Sequence, residues 1–184
     1  GSVSVLKGIG ESADRFAKTL SGDKKAQGNW GEHKLESILS NSGLEKGIDY
    51  TTQDHLKGEV IGERKFSDVL VNLPDGGKLI IDSKLSLKSY DDYVNESDIS
   101  LKKKHLDELV KRTKERIADL SAKKYWKAKN IDSPDYALMF VPIDNIFNLV
   151  VSHDKDLYET AYNKNILIVG PTLLMAALRT ISSL

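Results

Sequence analysis

Asp82 and Lys84 stand two residues apart in Leu79-Ile80-Ile81-Asp82-Ser83-Lys84-Leu85, an otherwise apolar run. Read as a strand, the run puts Asp82 and Lys84 on one face with Ile80, and Ile81, Ser83 and Leu85 on the other. A carboxylate and an ammonium in such a run are costly to desolvate unless they are paired or bound to something. A second carboxylate, Asp68, precedes Val69-Leu70-Val71. Two carboxylates on neighbouring strands suit Mg²⁺ (or Mn²⁺), a hard cation that takes oxygen ligands and keeps part of its water. A metal held this way stabilises charge on a phosphate and activates a bound water, which is the chemistry of phosphodiester cleavage. Lys84 would orient or deprotonate that water, or stabilise the transition state. The backbone carbonyl of Ser83 is a further candidate ligand.

These residues need particular elements to bring them together. Ser67 to Leu73 reads as one strand, Pro74-Asp75-Gly76-Gly77 as a turn, and Lys78 to Leu85 as the returning strand. Direct pairing of Leu73 with Lys78 would leave Asp68 opposite Ser83, on the wrong face. A one-residue offset, from an odd-length loop or a bulge, would put Asp68 opposite Asp82 or Lys84, so that offset is the expectation. A third carboxylate is expected from a helix between Trp30 and Ser42, closed by Gly43. Leu35, Ile38 and Leu39 mark its buried side. Glu32 falls on the stripe with Leu35 and Leu39, and Glu36 nearer its margin. Gly28 and Gly31 would permit close approach of a strand or ligand. Taken singly, Asp68 also reads as a strand-end cap, and Glu32 as a first-turn acid complementing the helix dipole.

The rest of the chain supplies the frame. Residues 4 to 20 carry apolar residues at helical spacing, and Gly22 to Asn29 reads as a polar break. Short strands are expected at Tyr50 to Gln53, Tyr136 to Val141 and Ile166 to Val169. Helices are expected at Ser86 to Asn95, Ser100 to Lys127, Ile143 to Val151 and Asp154 to Asn163, with a last one at Leu173 to Ser183 capped by Thr172. Helices alternating with buried strands, plus one hairpin, give an α/β fold with a mixed sheet flanked by helices. The 184 residues suit one domain. Residues 27–184 are read as that domain. Residues 1–26 are read as a cloning remnant, Gly1-Ser2, and a helical lead-in.

Charge and composition narrow the partners. The chain has equal numbers of Lys+Arg and Asp+Glu, 27 each, so a nucleic-acid surface requires local segregation of charge. Lys102 to Lys129 holds eleven basic residues against four acids, an excess of +7. Lys102, Lys103, Lys104, Lys111, Lys123, Lys124 and Lys127 are therefore candidate contacts to a DNA backbone. Tyr125 and Trp126 are candidates for stacking on an unpaired base. A solvated basic helix face is the plainer reading of the same charge. There is no cysteine, which excludes disulfides and thiolate metal sites and fits a reducing, cytoplasmic compartment. His33, His55, His105 and His153 stand apart from one another, and no phosphate-binding G-x-x-x-x-G-K-[ST] run or serine-hydrolase elbow occurs. No small-molecule cofactor is expected.

A wider pattern of residues adds to this reading. Gly28-Asn29-Trp30-Gly31-Glu32, Leu35-Glu36, Ser67-Asp68-Val69-Leu70-Val71 and Ile80-Ile81-Asp82-Ser83-Lys84 follow one another along the chain. Pro134-Asp135-Tyr136, Phe140-Val141-Pro142 and Gly170-Pro171-Thr172-Leu173-Leu174 continue the series. Together they resemble the RmuC-type DNA recombination proteins, from about residue 16 to the end. The resemblance implies a restriction-endonuclease-like core of the PD-(D/E)-x-K superfamily, acting as a metal-dependent DNA nuclease in recombination and genome stability. It implies that Asp68 and Asp82 are the acids, Lys84 the catalytic lysine and Glu32 the helix glutamate. It also implies an upstream coiled coil, in some members a membrane anchor, and a nucleoid-associated location. Any homo-oligomer would then form through regions outside this chain. Ser67 departs from the pattern, where Pro usually precedes the Asp. A non-catalytic DNA-binding or scaffolding domain that keeps the nuclease fold is the alternative.

Overall fold

The apolar runs form one sheet. In the computed structural model, which describes residues 22–52, 69–83, 87–122 and 137–184, five strands are present: β1 (Tyr50–Thr52), β2 (Val69–Asn72), β3 (Lys78–Ser83), β4 (Ala137–Phe140) and β5 (Ile166–Val169). They lie side by side in sequence order. The first three pair antiparallel, whereas β3–β4 and β4–β5 pair parallel. A parallel pair needs a long crossover, and the helices supply it. They are α1 (Lys24–Asn41), α2 (Leu87–Asn95), α3 (Ile99–Ala122), α4 (Asp144–His153), α5 (Leu157–Asn163) and α6 (Pro171–Ser182). No described helix is long and apolar enough to cross a membrane.

Strand alternation divides the core into two layers. Leu70, Ile80, Ala137, Met139, Ile166 and Ile168 face one layer, with Leu87 and Tyr90 of α2, Leu109, Val110, Ile117 and Leu120 of α3, and the buried residues of α4 and α5. Val69, Val71, Leu79, Ile81, Leu138, Phe140 and Val169 face the other, with Leu35, Ile38 and Leu39 of α1 and Leu174 and Leu178 of α6. All four residues of β4 are buried, as a strand covered on both faces must be.

The β2–β3 register shows the offset. Asn72 pairs with Lys78 and Val69 with Ile81, leaving the five residues 73–77 in the loop. Leu73 N–H donates to the Gly77 carbonyl at 2.8 Å, and Gly77 N–H to Asp75 Oδ1 at 2.9 Å. Gly76 has φ +91°, a conformation that favours glycine.

Two helix starts differ from the sequence reading. α1 begins at Lys24, inside the stretch read as a break, because Asp23 caps it: its Oδ1 accepts from Ala26 N–H at 3.0 Å. Gly28 is absorbed into the helix. α6 begins at Pro171 with Gly170 as its cap residue, so Thr172 lies inside the first turn. The acceptor there comes from α4 instead. Asp144 accepts from Thr172 N–H at 3.3 Å and from Thr172 Oγ1 at 2.8 Å. The end of α1 follows expectation, with Gly43 at φ +94° directly after the cap residue Ser42.

Candidate active site

Asp82 occupies the carboxyl-terminal end of β3, where the parallel register sets it beside Met139. It shares the face of Ile80 and is 3% exposed. Its Oδ1 is buried with no hydrogen-bond partner among the described residues. Burying an unpaired polar atom costs about 1–3 kcal/mol, and more for a charged group, so a native fold keeps one for a reason. A bare carboxylate oxygen in a sheet end suits a hard cation, so this residue fits the metal role that the sequence assigns to it.

Ser83 follows on the opposite face and is half-buried. Helix α1 passes directly over it. A Cβ on Gly31 would lie 2.9 Å from Ser83 Oγ and 3.4 Å from Pro142 Cγ. Gly31 is thus the close-approach glycine, whereas a Cβ on Gly28 would meet nothing within 4 Å. One turn earlier, the Gln27 side chain reaches Leu87 at the start of α2. Trp30 packs against the layer that contains Leu87.

Glu32 is exposed, not on the buried stripe. The stripe of α1 runs through Gln27, Gly31, Leu35, Leu39 and Ser42, and Glu32 sits one helical step, about 100°, away. Glu36 is half-buried and pairs with Lys46 at 2.6 Å. Asp68 and Lys84 lie outside the described residues. Among the described residues, no three His, Cys, Asp or Glu side chains come together as a metal cluster.

The described part of the basic segment is α3. Lys103, Lys104 and Lys111 are exposed. Lys102 is half-buried, with its ammonium 4.5 Å from the centre of the Tyr93 ring. Neighbouring charges are paired: Arg112 with Glu108 at 3.2 Å, and Lys114 with Asp154 at 2.8 Å. The hydrogen bond from Lys114 holds the Asp154 carboxyl below its ordinary range. His153 contacts Asp107 at 2.7 Å, and His105 contacts Glu96 at 3.5 Å. Lys123, Lys124 and Lys127, with Tyr125 and Trp126, lie outside the described residues.

The family model of the RmuC family matches residues 4–184. The chain belongs to the RmuC family. Among its relatives, a protein of Pseudomonas aeruginosa named DNA recombination protein RmuC homolog is 40% identical over 96% of the chain and 38% of its own length. A Pasteurella multocida protein of the same name is 40% identical, covering 96% of the chain and 34% of itself. The DNA recombination protein RmuC of Salmonella typhimurium is 37% identical, over 96% and 37% respectively. The chain therefore spans little more than a third of these relatives. No solved structure matches it significantly. Gly31 and Asp82 are both placed, one against the sheet end and the other within it.

Proposed function

We propose that this chain is a metal-dependent DNA nuclease domain with a restriction-endonuclease-like core, serving DNA recombination. The observation that carries the reading is the buried Asp82 Oδ1 at the end of β3, which has no hydrogen-bond partner among the described residues. Asp82 and Asp68 would hold Mg²⁺ or Mn²⁺, with the Ser83 carbonyl as a further ligand and Glu32 reached through water. The ion, when bound, would polarise the phosphodiester and lower the pKa of a bound water. Lys84 would hold that water for in-line attack. Asp68 directly precedes Val69, whose partner Ile81 is next to Asp82. The substrate class rests on the relatives' name and on the exposed lysines of α3, which lies on the side of the sheet that Asp82 faces.

One observation favours the non-catalytic alternative: Glu32 stands exposed, off the buried stripe of α1. Cleavage of single-stranded, duplex and branched DNA in Mg²⁺ or Mn²⁺ separates the two. The nuclease reading expects cleavage by the wild type, abolished in Asp82→Ala and Lys84→Ala with DNA affinity retained. Binding without cleavage of any form would leave the non-catalytic reading standing.

A further inference from the structure

We infer that Gln27 is a positioning residue of the Asp82 site, capping α2 from a different helix. The inference rests on the metal-site reading above. Gln27 is 7% exposed on the buried face of α1. A buried carboxamide is costly unless it is hydrogen-bonded. Its Oε1 accepts from the backbone N–H of Leu87 at 3.4 Å, a contact across 60 residues. Leu87 is the first residue of α2 and is fully buried. The first N–H groups of a helix have no acceptor within the helix and must find one elsewhere. Gln27 supplies it for Leu87.

Gln27 and Gly31 are four apart, so they share one face of α1. That face meets Ser83, next to Asp82, and also Leu87. Helix α1 therefore grips the chain on both sides of the strand-to-helix junction: at the last residue of β3 and at the first residue of α2. Gly31 allows the close approach, and Gln27 fixes it by a directed bond. Partners that orient a metal ligand directly are worth about 10–100-fold in metal affinity; Gln27 acts one step further out, through Leu87, so the low end of that range applies. The neutral amide suits the place, because it supports the carboxylate's surroundings without competing for a cation.

The test uses Gln27→Met, which keeps volume and removes the acceptor, with Gln27→Ala as the second variant should the first not fold. Mn²⁺ binding is measured calorimetrically, alongside amide hydrogen exchange and thermal melting. The expected result is Mn²⁺ affinity weakened by about 10-fold, faster exchange at the Leu87 amide, and a melting temperature lowered by only a few degrees, as one lost buried acceptor predicts. Unchanged Mn²⁺ affinity with a wild-type site that does bind would overturn the role of Gln27 alone. A wild-type chain that binds no Mn²⁺ would instead overturn the metal-site reading and the inference with it. A loss of affinity seen only at temperatures where the variant is already partly unfolded would reduce Gln27 to a fold contact and overturn its positioning role.

Discussion

At the scale of single residues, Gly31 and Asp82 are two positions where local rules are broken. A glycine inside α1 costs roughly 1 kcal/mol of helix propensity relative to alanine. It is kept because an added Cβ would meet both Ser83 Oγ and Pro142 Cγ. Gly31→Ala therefore sets a propensity gain of about 1 kcal/mol against an overpacking cost of about 1–3 kcal/mol. The expected net effect is destabilisation, measurable by urea unfolding. Ser83→Ala in the same chain removes the closer contact and should recover part of the loss. Asp82 breaks a different rule, as a buried carboxylate with an oxygen left bare. Glu32 was misplaced by pattern reading for a related reason: glycine carries no hydrophobic signal. The true stripe through Gln27, Gly31 and Leu35 was read one position over, as Glu32 with Leu35.

At the scale of elements, two helix starts take an acceptor from another helix. Gln27 of α1 caps α2, and Asp144 of α4 caps α6. Asp144→Ala should cost about 1 kcal/mol, the usual size of a lost cap, read as a fall in the urea midpoint. Gly170→Ala should cost at least as much, since its Cβ would come 2.5 Å from Asp144 Oδ1 and 3.3 Å from Phe147 Cβ. Such acceptors are not legible in sequence, because capping rules are local. Local rules make Thr172 the cap, whereas in the fold it is the donor to Asp144. The start of α1 escaped notice because Asp23 opens a turn with no apolar periodicity, Lys24 to Asn29. Strand positions were more legible. The β2–β3 hairpin, the fully buried β4 and the apolar stripe of α3 follow from alternation and helical spacing alone. The one-residue offset followed from requiring two acids to share a face, and the five-residue loop supplies it.

At the scale of the whole molecule, balanced charge conceals a division of labour. The acid stands at the sheet end, and the exposed lysines of α3 belong to the layer on the same side. Zero net charge gives no general attraction to DNA, so the proposed DNA binding would have to come from such segregation. Each lysine that contacts a phosphate adds about 0.9 to the slope of log affinity against log salt on duplex DNA. Replacing Lys103, Lys104 and Lys111 together by alanine should lower that slope by roughly 2–3. An unchanged slope would take α3 out of the DNA surface. Lys114 and Arg112 are spent on ion pairs, and their removal should affect the slope less.

The measurement that bears most directly on the account is divalent-metal binding at Asp82. Titration calorimetry with Mn²⁺, on the wild type and on Asp82→Ala, should show binding in the first and none in the second. Without metal, Asp82→Ala should be as stable as the wild type or more so, because it removes a buried carboxyl oxygen that has no hydrogen-bond partner among the described residues. With metal at about 100 times its dissociation constant, only the wild type should gain stability, by about 2.7 kcal/mol. Equal metal binding by both chains, or none by the wild type, would contradict the assignment of Asp82 as a metal ligand.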